Sequence, residues 1–142
     1  MTLRVLLADD HETILEGMKS LLENMGGVEV VGEAHDGLQA IHLARRLHPD
    51  LIIMDIVMPY LNGVDATRKI VSEKLKTKII SFSMNTEHSC ITNMLQAGAK
   101  GYLFKEYMFD NAAMLEELKQ AIKAVSKDRI YVSKEIQHAA CV

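Results

Sequence analysis

Residues 51 to 59 read LIIMDIVMP. Four apolar residues run straight into an aspartate, Asp55, and apolar residues resume until Pro59. A strand with one face in water would alternate apolar and polar side chains. LIIM does not alternate, so both of its faces are covered, as in a parallel sheet flanked by helices. Ionising a carboxylate in such a setting is costly unless something nearby favours the charge. Asp55 therefore needs a reason to be there.

Working outward from this stretch, two kinds of segment alternate. Short apolar runs occur at Leu3–Ala8, Val28–Ala34, Leu51–Met54, Ile79–Ser83 and Gly101–Phe104. Helical spacing fills the intervals. Ile14, Leu15, Met18, Leu21, Leu22 and Met25 share a face that Gly26-Gly27 ends. Leu38, Ile41, Ala44 and Leu47 mark a second helix, with Asp36 as N-cap and Pro49 as stop. Further helices are expected at about 63–74, 87–97 and 112–126, with Asn62-Gly63 forming the turn into the third. Five strands alternating with five helices predict a doubly wound α/β domain with a five-stranded parallel sheet.

The bulk properties agree. A chain of 142 residues is most simply one domain, able to bury roughly two thirds of the surface it exposes unfolded. About half the residues are apolar and a quarter charged, as in ordinary globular proteins. A formal charge of −3 disfavours a nucleic-acid footprint as the main surface. Cys90 and Cys141 stand far apart, which argues against a disulfide framework or a zinc site. No apolar run has the length of a membrane span, and the N-terminus lacks the shape of a signal peptide, so a cytoplasmic location is expected. The nine methionines sit mainly at apolar positions, as core filling. The histidines form no convincing cluster, and His35, His42 and His48 read as surface or locally satisfied residues.

In an open parallel sheet, ligands bind outside the carboxyl ends of the strands. Here those ends carry Asp9-Asp10, Asp55, Ser83 and Lys105. Three carboxylates crowded together repel unless a cation shares the site. Hard oxygen donors that leave coordination incomplete suit Mg²⁺, and Lys105 can hold a phosphate oxygen as a point charge. Asp55 then reads as a nucleophile at a strand end beside a metal. The plainer alternative is that Asp9 and Asp10, with Glu12, only cap and charge the first helix.

The motifs LLADD, DLIIMDIVMPYLNG, IISFS and AGAKGYLFK, in this order and spacing, resemble the receiver domain of bacterial response regulators over about residues 3–126. The resemblance implies a flavodoxin-like sheet in the order 2-1-3-4-5. It implies that Asp55 accepts a phosphoryl group from a sensor histidine kinase. Asp10, Asp55 and the backbone carbonyl of Val57 would bind Mg²⁺, and Asp9 would act through metal-bound water. Ser83 would hold the phosphoryl group, and Tyr102 would be the aromatic that turns inward with it. A phosphoryl group adds about 1.5 to 2 negative charges, which only Lys105, Ser83 and the metal can answer. Driving a switch from 1:99 to 99:1 takes roughly 5.5 kcal/mol, within reach of a few charge-assisted hydrogen bonds.

The resemblance also sets residues 127–142, with RIYVSKEI, as a linker or tail toward a LuxR-type helix-turn-helix output domain absent from this chain. DNA would then be a partner only through that domain. A homodimer through the face of helix four, strand five and helix five is the family expectation. Two features depart from the pattern. Glu106 stands where many receivers carry proline, and a cis bond there would cost about 2.5 to 4 kcal/mol. Tyr107, Met108 and Phe109 are apolar in a connecting loop, either extending the partner face or tucking onto the last helix. Val57 and Asn85 are expected to influence the lifetime of the phosphoryl group. Three other functions stand beside the switch. One is a pseudo-receiver that binds a partner without phosphorylation. Another is a Mg²⁺-dependent aspartyl phosphatase, which would want an acid where Val57 stands. The third is a flavin module on the same sheet.

Overall fold

A computed structural model describes residues 2–84, 88–105 and 110–133. Six strands and five helices follow in the order β1 (Leu3–Ala8), α1 (Glu12–Asn24), β2 (Val28–Ala34), α2 (Gly37–Leu47), β3 (Leu51–Met54), α3 (Gly63–Ser72), β4 (Lys78–Ser83), α4 (His88–Ala97), β5 (Gly101–Phe104), α5 (Asn111–Ser126) and β6 (Tyr131–Val132). All strand pairs are parallel, in the order β2-β1-β3-β4-β5-β6. The fold is the expected flavodoxin-like one. The expected sheet has five strands, however, and the observed one has six. The sixth is two residues long, too short to carry a periodic signal, and it attaches residues 131–133 to the edge of β5.

The apolar run LIIM is explained by its register. Ile52 and Met54 pack into one core layer with Ile41 of α2, Ile70 of α3 and Met94 of α4. Leu51 and Ile53 pack into the other with Leu15 and Met18 of α1 and Leu118 of α5. β1 divides in the same way, Leu6 and Ala8 to the first layer and Val5 and Leu7 to the second. Central strands are thus buried on both sides, while charged residues gather at their ends.

Local signals set the helix ends. Asp36 Oδ1 accepts the Gln39 N–H at 2.8 Å and starts α2. The helix stops at His48, which takes a left-handed conformation (φ 47°) just before Pro49. Asn62 Oδ1 accepts the Asp65 N–H at 2.9 Å and starts α3 directly after the β3 turn. Asp110 caps α5 through the N–H groups of Ala112 and Ala113. Among the described residues no helix is long and apolar enough to cross a membrane. Cys90 is a free thiol. Glu106, Tyr107, Met108, Phe109 and Asn85 lie outside the described residues.

Candidate functional site at the carboxyl edge of the sheet

The sheet brings four of its strand ends together. β1 runs into Asp9, β3 into Asp55, β4 ends at Ser83 and β5 runs into Lys105. The backbone fixes these positions before any side chain does. Asp55 donates its N–H to Ala8 O at 2.8 Å and Asp9 donates to Ala34 O at 3.0 Å, continuing the ladders one residue past the strands. Asp9, Asp55, Ser83 and Lys105 are all buried.

Lys105 is the centre of charge. Its Nζ lies 2.6 Å from Asp9 Oδ2 and 3.2 Å from Asp55 Oδ2, with the side chain only 5% exposed. The ammonium also stands 5.7 Å from the centroid of the Phe82 ring, a cation–π distance. Asp9 Oδ2 meets the ammonium closely and, among the described residues, has no other donor. Asp9 Oδ1 accepts the backbone N–H of His11 at 2.9 Å. One oxygen of this carboxylate thus shapes the turn before α1, and the other faces the site.

Asp55 Oδ1 accepts the N–H of Ile56 at 2.8 Å. Burial pushes the Asp55 pKa up to about 6, and repulsion from Asp9 adds to it; the charge and hydrogen bond of Lys105 and the Ile56 N–H oppose the rise. Because this value lies above the ordinary one of about 3.9, the folded chain holds an extra proton between about pH 4 and 6. Stability contributed by Asp55 therefore falls as pH rises through that window. In metal-free buffer at pH 7.5, Asp55→Asn is expected to be more stable than the parent by about 2 kcal/mol. At pH 3, below both values, the difference should nearly vanish in thermal melts. An equal gain at both pH values would show that ionisation of Asp55 is not its source.

Ser83 and Tyr102 share a hydrogen bond between their hydroxyls. The Tyr102 ring is fully buried in the α2–α3–α4 layer, in its inward position. Burial pushes its hydroxyl pKa up to about 12, against the Ser83 hydrogen bond, with Cys90 and Asp55 adding to the rise. The Tyr102 hydroxyl thus meets the site's own serine.

Oxygen atoms of Asp9, Asp10 and Asp55, together with a ring nitrogen of His11, all lie within 4.8 Å of one another. Three carboxylates and one ammonium leave two negative charges, and among the described residues Asp9 Oδ2 has no donor besides that ammonium. A divalent cation bound by oxygen fits this donor set. Val57 stands at the mouth, 73% exposed. His11 is the residue that the sequence reading passed over. Its Nδ1 sits 2.9 Å from Asp9 and 3.2 Å from Asp10. The signal was available: it directly follows the acidic pair, in the turn where Asp9 accepts its N–H. His35 is exposed and lies 3.3 Å from Glu12, and His42 and His48 are exposed, as expected of surface residues.

The model of the response regulator receiver domain matches residues 5–123. This chain belongs to the response regulator receiver family. The receiver is 35% identical over 136 residues to the transcriptional regulatory protein DegU of Brevibacillus brevis, covering 96% of this chain and 55% of DegU. It is 37% identical over 134 residues to the response regulator GacA of Pseudomonas viridiflava, covering 94% and 60%. The receiver thus spans somewhat over half the length of these relatives. Among solved structures it resembles a LuxR-family two-component response regulator from Aurantimonas sp. SI85-9A1. The TM-score is 0.89 and the identity 35%, covering 99% and 96% of the two chains. It also resembles the isolated receiver domain of RcsB from Salmonella enterica serovar Typhimurium, solved with phosphomimetic BeF₃⁻. There the TM-score is 0.84 and the identity 25%, covering 97% and 98%. The receiver is a signalling domain of two-component systems, homologous to transcriptional regulators.

Proposed function

We propose that this receiver is a phosphorylation-activated switch with Asp55 as its phosphoacceptor. The observation that carries the reading is the buried Lys105 ammonium held between Asp9 and Asp55. It is a pre-placed counter-charge that a phosphoryl oxygen can take over from a carboxylate. In the transfer, an Asp55 oxygen attacks phosphorus in line, the P–O bond forms, and the P–N bond to the histidine of a sensor kinase breaks. Later attack by water on phosphorus releases phosphate and restores the carboxylate.

Asp10, Asp55 and the Val57 carbonyl would hold Mg²⁺ directly, and Asp9 through water. The ion's chemistry is to neutralise charge on the phosphoryl oxygens as it transfers. Lys105 then binds one phosphoryl oxygen and Ser83 donates its hydroxyl to another. Tyr102, already inward and bonded to Ser83, fills the space behind it. The chain turns over no external metabolite. The exposed Val57 leaves no acid two residues after Asp55, which speaks against an aspartyl phosphatase. Its place is the cytoplasm, and residues 1–126 form the receiver. The remainder, 127–142, leads toward a DNA-binding output domain outside this chain. The face of α4, β5 and α5 serves a homodimer.

The test is intact mass after incubation with acetyl phosphate, with and without Mg²⁺, on this chain and on Asp55→Asn. One added phosphoryl group that needs both Mg²⁺ and Asp55 is expected. No adduct on a folded chain shown to bind Mg²⁺ would point instead to a pseudo-receiver that recognises its partner without phosphorylation.

A further inference from the structure

Strand β6 is short, and its attachment is unlike an ordinary ladder. Tyr131 and Val132 pair with Gly101 and Tyr102 of β5. Tyr131 donates its N–H to Lys100 O and Ser133 donates to Tyr102 O, both at 2.9 Å. Continuing this parallel register, the acceptor for the Phe104 N–H would be the Ser133 carbonyl. Instead the Phe104 N–H is accepted by the Ser133 side-chain Oγ at 3.1 Å. Ser133 is fully buried, so its side chain takes the acceptor position at this point of the β5 edge. Gly101 permits the close approach, since a Cβ there would lie 3.3 Å from Tyr131 O and 3.1 Å from Ile80. At the other end of β6 the Tyr131 hydroxyl donates to Glu117 of α5.

The two β5 residues that hold Ser133 also connect to the site. Tyr102 presents its carbonyl to Ser133 and its hydroxyl to Ser83. Phe104 donates to Ser133 and is followed directly by Lys105, which is held at Asp9 and Asp55. Tyr131, by contrast, is tied to α5, away from these groups.

From this we infer that Ser133 is a clasp coupling the state of Asp55 to strand β6. Its two hydrogen bonds to β5 tighten when the site is loaded. The inference rests on the phosphoacceptor reading of Asp55. Its direction follows from the geometry: the clasp is closed while Tyr102 is inward on Ser83 and Lys105 is drawn toward Asp55. A phosphoryl group that favours this arrangement favours the closed clasp by the same coupling energy. By reciprocity a closed clasp favours loading.

The measurement is amide hydrogen exchange by NMR on the 142-residue chain, with Mg²⁺ alone and with Mg²⁺ plus beryllofluoride. Loading is expected to slow exchange at Phe104 and Ser133 by about fivefold, the worth of one ordinary hydrogen bond. Ser133→Ala should lose that change at Phe104 and bind beryllofluoride more weakly by a similar factor, and Ser133→Thr, which keeps a hydroxyl, should restore both. If Ser133→Ala does not fold, Tyr131→Phe loosens β6 from its other end without altering β5 and should show the same loss of coupling. Loading that slows exchange at Ser83 and Tyr102 but not at Phe104 and Ser133 would overturn the clasp and leave the switch standing. Failure of the folded parent to take beryllofluoride with Mg²⁺ would overturn both.

Discussion

Replacing Lys105 by methionine is expected to destabilise the metal-free protein by about 3 to 5 kcal/mol, the usual cost of stranding a buried charge. Methionine keeps the length of the lysine stem and its packing beside Phe82, so the lost quantity is the ammonium itself. Without it, Asp9 and Asp55, both buried, face each other with no counter-ion. Chemical denaturation at pH 8, where the carboxylates are ionised, measures the loss. Two companion measurements separate charge from packing. Adding Asp55→Asn to Lys105→Met should recover more than 1 kcal/mol of the deficit, as expected for directly coupled groups. Saturating Mg²⁺ should recover part of it too, since a ligand that binds only the folded state stabilises it. A deficit below about 1 kcal/mol that neither companion alters would mean that Lys105 is a packed stem whose charge is answered elsewhere. The same lysine would then be a poor candidate for holding a phosphoryl oxygen.

The reason Lys105 was legible in the sequence is that a charge directly after the apolar run GYLF has no plausible place in a core. The same logic exposed Asp55 after LIIM and the acidic pair after LLA. Strand and helix positions were legible because uniform apolar runs and 3.6-residue spacing are strong signals over the lengths involved. Three things were not legible, each for a physical reason. β6 is a strand only because β5 offers an edge to it, and Tyr131-Val132 alone carries no period. His11 joins the acidic cluster through a turn geometry that spacing cannot report. The partner of the Tyr102 hydroxyl comes from another strand, which no local pattern reports. What sequence shows well is where polar groups must be, and what it conceals is which of their atoms face one another.

Gly63→Ala separates these two kinds of knowledge, because local propensity and packing predict opposite signs. Gly63 is the first residue of α3, and on propensity alone alanine in a helix is worth up to about 1 kcal/mol over glycine. In the folded chain, however, a Cβ at Gly63 would fall on the carbonyl oxygen of Asp55, far inside van der Waals contact. It would also come within 2.9 Å of Ile56 Cα. Both neighbours are backbone, and the Gly63 N–H is bonded to Ile56 O at 2.7 Å, so neither side can yield cheaply. The expected result is a loss of about 3 kcal/mol or more, at the upper end for overpacking. Because the displaced atoms are those of Asp55 and Ile56, phosphorylation by acetyl phosphate should fall more steeply than stability does. Gly26→Ala is the useful contrast. Its added Cβ meets nothing within 4 Å, and only its positive φ of 75° is at issue. That variant should lose about 1 kcal/mol and phosphorylate normally. If Gly63→Ala instead proves as stable as the parent, the β3–α3 turn has more room than its hydrogen bond to Ile56 allows. The tight seating of α3 against the acceptor's own backbone would then not be what fixes Asp55 in place.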